Sequence, residues 1–198
     1  MTSKTWLLVA LLAAACTGPG PGRLPSGAPH TVAVLPPSTK TPDQLLVAGS
    51  SFLERYATGT SRVTVADVLE SEARIQLERR GFDVVAPDDV DKVTQRRAPS
   101  SPESAAEIAA AGRLPGLSLY LEIRRWEADA PTHPSYILAG ARAALVDPTT
   151  RAVVWQNERA VAPIPTPGEI SAGAAYVTAS RKLAEELLAP LGPEKPGA

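Results

Sequence analysis

A four-residue rhythm runs through the stretch from residue 63 to 80. Val65, Leu69, Ala73 and Leu77 recur at that spacing, with Val68 and Ile75 flanking them, so one apolar stripe runs along an α-helix. Thr64 is placed to cap its start and Gly81 to end it. Ahead of it, TVAVLPP from Thr31 is an apolar run stopped by Pro36 and Pro37, the pattern of a buried strand running into a loop. After it, FDVVAP from Phe82 predicts a second short strand. PDDVDK opens a short exposed helix, where Asp88 or Asp89 favours the N-terminal dipole. ESAAEIAAAG, from Glu103, predicts an alanine-rich helix stopped by Gly112. Residues 38 to 61 are polar and fit neither period.

The pattern then changes to alternation. In LSLYLEIRRW, Leu117, Leu119, Leu121 and Ile123 share one face, while Ser118, Glu122 and Arg124 share the other. In SYILAGARAALV, Ile137, Ala139, Ala141, Ala143 and Leu145 make a continuous apolar face. DPTTR, from Asp147 to Arg151, is turn chemistry, and AVVWQNERAV returns as a third strand. Two strands joined by so short a connection predict an antiparallel hairpin. From Glu169 to Leu188 the helical period resumes, with Ile170, Ala174, Val177, Ala184 and Leu188 along one stripe. The fold class expected is α+β: one domain, a two-layer sandwich of a mixed or antiparallel sheet packed against helices.

The composition narrows the chemistry. Twenty Lys and Arg against 21 Asp and Glu leave a net charge of −1, so nothing electrostatic favours nucleic acid, which needs a basic excess or patch. One cysteine excludes an internal disulfide and a Cys-based zinc cage, and two histidines, His30 and His133, make a histidine-rich metal site unexpected. No metal and no cofactor is expected. Much of the proline and glycine lies at the two ends.

That single cysteine is Cys16. Before it come Lys4, an apolar stretch from Trp6 to Leu12, and then Ala13, Ala14 and Ala15, the layout of an export signal. The stretch falls well short of the roughly twenty apolar residues that span a bilayer, so it targets the chain. Cys16 directly after small residues resembles the lipobox of bacterial lipoproteins, in which the thiol receives a diacylglycerol and the preceding peptide is removed. Ala13 stands where that family favours leucine. Thr17, rather than Asp, leans toward the outer membrane under the same family's sorting rule. The organisation expected is a signal peptide over 1–15, a lipidated Cys16 with a Pro/Gly-rich linker over 16–30, an α+β domain over 31–189 and a tail over 190–198. The alternative is a secretory signal whose cleavage region happens to hold a cysteine.

The order of elements carries a second resemblance. VAVLPP, GFDVVAPDDV, LYLEIRRWEA and SYILAGARAALVDPTTRAVVWQNERA are similar to motifs of a group of small bacterial lipoproteins. Their domain is related to the N-terminal domain of TolB and to CsgG-like and LpoB-like envelope lipoproteins. The matching features fall on Val34 to Pro37, Gly81 to Pro87, Leu119 to Trp126 and Ala144 to Trp155. Phe82 replaces a tyrosine, RLPGLSLY replaces the usual approach to the third strand, and Arg151 stands where the hairpin has glycine, which argues for a different turn geometry. The resemblance implies a non-enzymatic scaffold or accessory subunit in an envelope assembly for secretion, transport or cell-wall synthesis. Its partners would be envelope proteins, at a periplasmic location held by the lipid anchor on Cys16, and open sheet edges in such a domain could pair across subunits in a homodimer or larger assembly. Binding of a small ligand is the alternative, with an enzyme acting on the cell wall behind it.

Candidate sites are few. Asp147 is either a contact at a hairpin tip or an acceptor for the turn's own N–H groups, and the turn chemistry favours the second. Trp126 and Trp155 are either exposed partner anchors or rings tucked under helices, and Tyr120 and Tyr136 share that ambiguity. His133 sits in a turn without a second ligand. GPGPG lacks the strand, helix and Lys-Ser/Thr ending of a phosphate loop, and no serine lies in GxSxG or SxxK.

Overall fold

The computed structural model describes residues 24–25, 27–41, 45–47 and 62–192. Strand β1 (Thr31–Val34) is followed by β2 (Ser38–Thr39), β3 (Leu45–Val47) and β4 (Arg62–Thr64). Then come α1 (Val65–Arg79), β5 (Asp83–Val84), α2 (Pro87–Thr94) and α3 (Pro102–Ala111). The long strands β6 (Leu117–Ala128), β7 (Tyr136–Asp147) and β8 (Ala152–Pro165) precede α4 (Ala172–Leu188). The main sheet runs β5-β1-β6-β7-β8, with β2 pairing β6, while β3 and β4 form a separate antiparallel pair. Strands β5, β1 and β6 are parallel and β6, β7 and β8 antiparallel. This is the mixed-sheet α+β fold expected from the pattern.

Capping fixes α1 as its sequence predicts. Thr64 Oγ1 accepts from the Asp67 N–H at 3.1 Å while Asp67 Oδ2 accepts from the Thr64 N–H at 2.8 Å, a reciprocal capping box. At the other end Gly81 takes φ +85°, the Gly81 N–H bonds Glu78 O at 2.8 Å and the Phe82 N–H bonds Leu77 O at 3.1 Å. Those two bonds are a Schellman closure, and Phe82 and Leu77 lie together in the same core.

Most of the core lies between the sheet and α1 with α4. Val32, Val34, Leu119, Leu121, Ala141 and Leu145 meet Leu69, Leu77, Leu183 and Leu187 there. Removing each large side chain from water stabilises the fold by about 1.5–3 kcal/mol. A smaller cluster lies on the opposite face, where Ala33, Leu35, Tyr120, Ala144 and Val146 pack against Val90 of α2 and Ala105 and Ala109 of α3. Ser118 and Glu122, on the same face of β6 as Tyr120, are also buried, Glu122 beside Lys40 and Arg124.

Alternation along the long strands is interrupted. Register shifts occur between Ile123 and Arg125 of β6, and between Ala139 and Ala141 of β7 where it faces β8. The shift in β6 flips its parity, so Trp126 joins Leu121 and Ile123 in the main core. Arg159 repairs the β8 irregularity: its Nη1 donates to the carbonyls of Ala139 and Ala162, and its Nε pairs with Glu186.

Two local expectations are corrected. Ile170 lies outside α4 and is 84% exposed. Ser171, extended, caps the helix by accepting from the Ala174 N–H, so the buried stripe starts later and runs through Ala175, Ala179, Leu183 and Leu187. Arg151 does not change the hairpin turn, because it adopts φ +59°, the left-handed conformation that glycine takes without strain.

Candidate functional site

Pro36 and Pro37 open the site. Without N–H groups they cannot pair with β6, so β1 stops and the chain rejoins β6 as β2. The Leu35 N–H bonds Leu119 O at 3.1 Å before the break and the Lys40 N–H bonds Ile123 O at 2.9 Å after it. Between them, Ser38 Oγ reaches Leu121 O at 3.4 Å and the Tyr120 hydroxyl at 3.1 Å.

Beside this break lies a cavity of about 420 Å³. Its floor is Pro36 to Thr39, one wall is the start of α1 at Thr64, Asp67 and Glu70, and the other is the α2–α3 connection from Arg96 to Ser100. The cavity sits beyond the carboxyl end of β1, between the start of α1 on one face of the sheet and the α2–α3 connection on the other.

Arg74 holds the frame. Its Nη2 donates to Val34 O at 3.0 Å and to Glu70 Oε1 at 2.8 Å, and its Nη1 donates to Val85 O at 2.8 Å. One guanidinium thus ties α1 to the ends of β1 and β5. Burial pushes the Glu70 carboxyl above its usual range, against the opposing pull of Arg74. Across the cavity, Arg96 Nη2 meets Asp67 Oδ1 at 3.2 Å. Gln95 and Arg96 both take positive φ, +51° and +57°, which presents Arg96 toward the start of α1. Burial also raises the Tyr120 hydroxyl pKa, opposed in part by its hydrogen bond to Ser38.

The aromatic candidates separate. Trp126, Trp155 and Tyr120 are 3%, 1% and 1% exposed, which removes them from any surface patch. Trp126 stands edge-on to Tyr176 at 5.9 Å, and Trp155 pairs with Leu145 across β7 and β8 on the core face. Tyr120 does point to the other face, but α2 and α3 cover it there. Tyr136 is 41% exposed. It lies on β7 beyond those helices and opposite Pro165 on β8, the strand at the sheet's edge.

The remaining sites are local. Asp147 accepts from the Thr149 N–H at 2.8 Å and from Thr150 Oγ1 at 2.9 Å, and these bonds, the backbone one foremost, hold its carboxyl below the usual range. His133 contacts Thr132 Oγ1 at 3.1 Å at the surface, and the His30 ring lies 6.0 Å from Phe82. Cys16, the signal segment and the linker apart from residues 24–25 and 27–30 lie outside the described residues; within the end of that linker Leu24 and Ala28 pack against the main core. Among the described residues, no group of three or more His, Cys, Asp or Glu could hold a metal ion, and no helix is long and apolar enough to cross a membrane. The cavity was missed in the sequence; its one local signal was the proline pair after the first strand.

No protein-family model and no curated protein matches the chain. Solved structures do. The chain is similar to a variant PelC dodecamer from Paraburkholderia phytofirmans, at 18% identity over 85% of this chain and 92% of that one, with a TM-score of 0.49. It is also similar to lipoprotein GNA1162 from Neisseria meningitidis, at 16% identity over 71% and 83%, TM-score 0.41. For E. coli LpoB the figures are 13% identity over 83% and 81%, TM-score 0.43.

Proposed function

We propose that this chain is a lipid-anchored envelope protein, held through Cys16 at a bilayer surface facing the periplasm. It serves there as a non-enzymatic accessory subunit or scaffold. The observation that carries this reading is the run from Trp6 to Cys16, a short apolar segment, three alanines and then the chain's one cysteine. Two or more acyl chains on that residue make a stable anchor where a single chain does not. Thr17 after the cysteine, where Asp would favour the inner membrane, supports the outer membrane. The paired state of the charges supports a non-catalytic role: Glu70, Asp67 and Glu122 each answer an arginine. Docking is supported by β8, an edge strand of 14 residues with Val161 51% exposed on it. Such an edge offers backbone groups to a second copy or to another envelope protein, and Pro163 and Pro165 limit pairing at its end.

Metabolic labelling with a radioactive fatty acid tests the anchor. Label on the wild-type chain and none on Cys16→Ser, together with release of the variant from the membrane fraction, is the expected result. An unlabelled wild-type chain overturns the anchor. Affinity capture from detergent-solubilised envelope then tests the accessory role, and recovery of no protein partner counts against it.

A further inference from the structure

We propose that two copies of this chain pair about a two-fold axis through one sheet face, formed by Tyr136, Leu138, Val161, Pro163 and Pro165. The inference rests on the docking part of the reading above and not on the anchor, so it holds whether or not Cys16 carries lipid. Alternation sets the face: Ile137 lies in the main core, so Tyr136 and Leu138 point the other way. Pro165 stands opposite Tyr136, and Pro163 opposite Leu138, across β7 and β8. Val161 lies over Gly140, where a Cβ would come within 2.7 Å of Val161 Cγ2. These apolar side chains are therefore neighbours on one surface.

Their exposure is concentrated. The cluster under α2 and α3 on this side of the sheet reaches only as far along β7 as Ala144. Beyond it Tyr136 and Val161 are 41% and 51% exposed. Together with Ile170, just past the end of β8, they are the exposed large hydrophobics among the described residues. Single apolar residues at a surface are ordinary, but their convergence on one end of a sheet marks an interaction surface.

The surroundings select the occupant. Pro163 and Pro165 have no N–H, so a strand added at this end of β8 meets missing donors, and contact is made through side chains instead. The Cys16 segment joins at Thr31, at the opposite end of the sheet. Strand β6 starts beside Val32 at Leu117 and reaches Leu138 only at Glu127, roughly 33 Å further along at about 3.3 Å per residue. A bilayer held at the first end does not meet the patch. Its rim carries Arg125 and Glu127, half-exposed and paired to each other, opposite Gly140 and Leu138. That rim is neutral, so a strongly acidic or basic partner has no advantage there. A second copy does fit, because a two-fold contact sets Arg125 of each copy against Glu127 of the other. The chain's net charge of −1 adds little repulsion. The face is small beside the roughly 800 Å² per partner of a standard interface, so the pairing is reversible.

Sedimentation equilibrium of the full chain in a density-matched detergent, from about 1 to 300 μM, tests this. A reversible monomer–dimer equilibrium is expected. Val161→Glu, which places a charge in the contact, should raise the dissociation constant about tenfold or more while the circular dichroism spectrum is unchanged. Arg125→Glu should also weaken pairing, and adding Glu127→Arg should restore it, as a reciprocal contact requires. A monomer throughout, self-association insensitive to Val161→Glu, or no recovery in the double variant overturns the proposal. A monomer that captures another envelope protein, and loses it in Val161→Glu, overturns it as well but leaves the accessory role standing. If Cys16→Ser stays with the membrane until Val161→Glu is added, the patch serves the bilayer and the proposal fails.

Discussion

Arg74 Nη2 donates to the carbonyl of Val34 at 3.0 Å, joining the middle of α1 to the last residue of β1. The same side chain also holds Val85 O and Glu70, and it is only 12% exposed. Removing it strands two carbonyls and a half-buried carboxylate at once. Arg74→Leu should therefore lower the stability to urea by about 3 kcal/mol or more. Adding Glu70→Leu should recover part of that loss, since no unpaired charge then remains. Arg74→Lys should fall between, because one ammonium cannot reproduce the forked geometry that serves three acceptors.

Arg151 closes the β7–β8 turn in a left-handed conformation at φ +59°. A side chain there costs about 1 kcal/mol that glycine avoids. Arg151→Gly should stabilise the fold by about that amount, read as a higher midpoint of thermal denaturation. An unchanged or lower midpoint would show that the arginine contributes a contact outweighing the strain.

What the sequence made legible follows from local physics. The helix from Val65 to Arg79 could be read because its stripe, its Thr64 cap and its Gly81 stop agree. The apolar face of β7 from Ile137 to Leu145 could be read because no shift on that strand disturbs its own parity. Trp126 could not, since a single irregularity at Arg124 reverses which residues face the core. Tyr120 could not be settled, since its burial depends on α3, which packs there from another part of the chain. The cavity is harder still. Glu70 and Arg74 show an i,i+4 pair, but nothing local names Val34 and Val85 as its targets. The approach of Arg96 to Asp67 depends on two consecutive positive-φ residues, which no propensity favours.

Gly116 precedes β6 at φ +72°, and a Cβ there would lie 2.1 Å from the carbonyl oxygen of Thr31. The clash is with backbone, and it falls beside the first pairing of β1 with β6 at Val32 and Leu117. Gly116→Ala should cost about 2–4 kcal/mol, combining conformational strain with displaced pairing. Amide hydrogen exchange should show the extra opening first in β1, ahead of β7 and β8.

Glu122 and Glu70 should give stability opposite dependences on pH. Burial pushes the Glu122 carboxyl up, but its bonds to Arg124 and Lys40 outweigh that and leave it below its ordinary range. The folded state then holds this proton more weakly than the unfolded chain. The stabilisation from Glu122 is present above the unfolded pKa of about 4.3 and drains away as pH falls through the folded value. For Glu70 burial prevails, its pKa is raised, and the sign reverses. The folded state binds that proton more tightly, so the Glu70 contribution grows as pH falls through the folded value and is lost as pH rises. Urea denaturation of Glu122→Gln and Glu70→Gln across pH 3.5 to 7, an interval of about 3.5 units around those carboxylate values, separates the two. Relative to wild type, Glu122→Gln should lose ground as pH rises and Glu70→Gln should gain it. Parallel curves would mean that neither carboxylate differs between the folded and unfolded states.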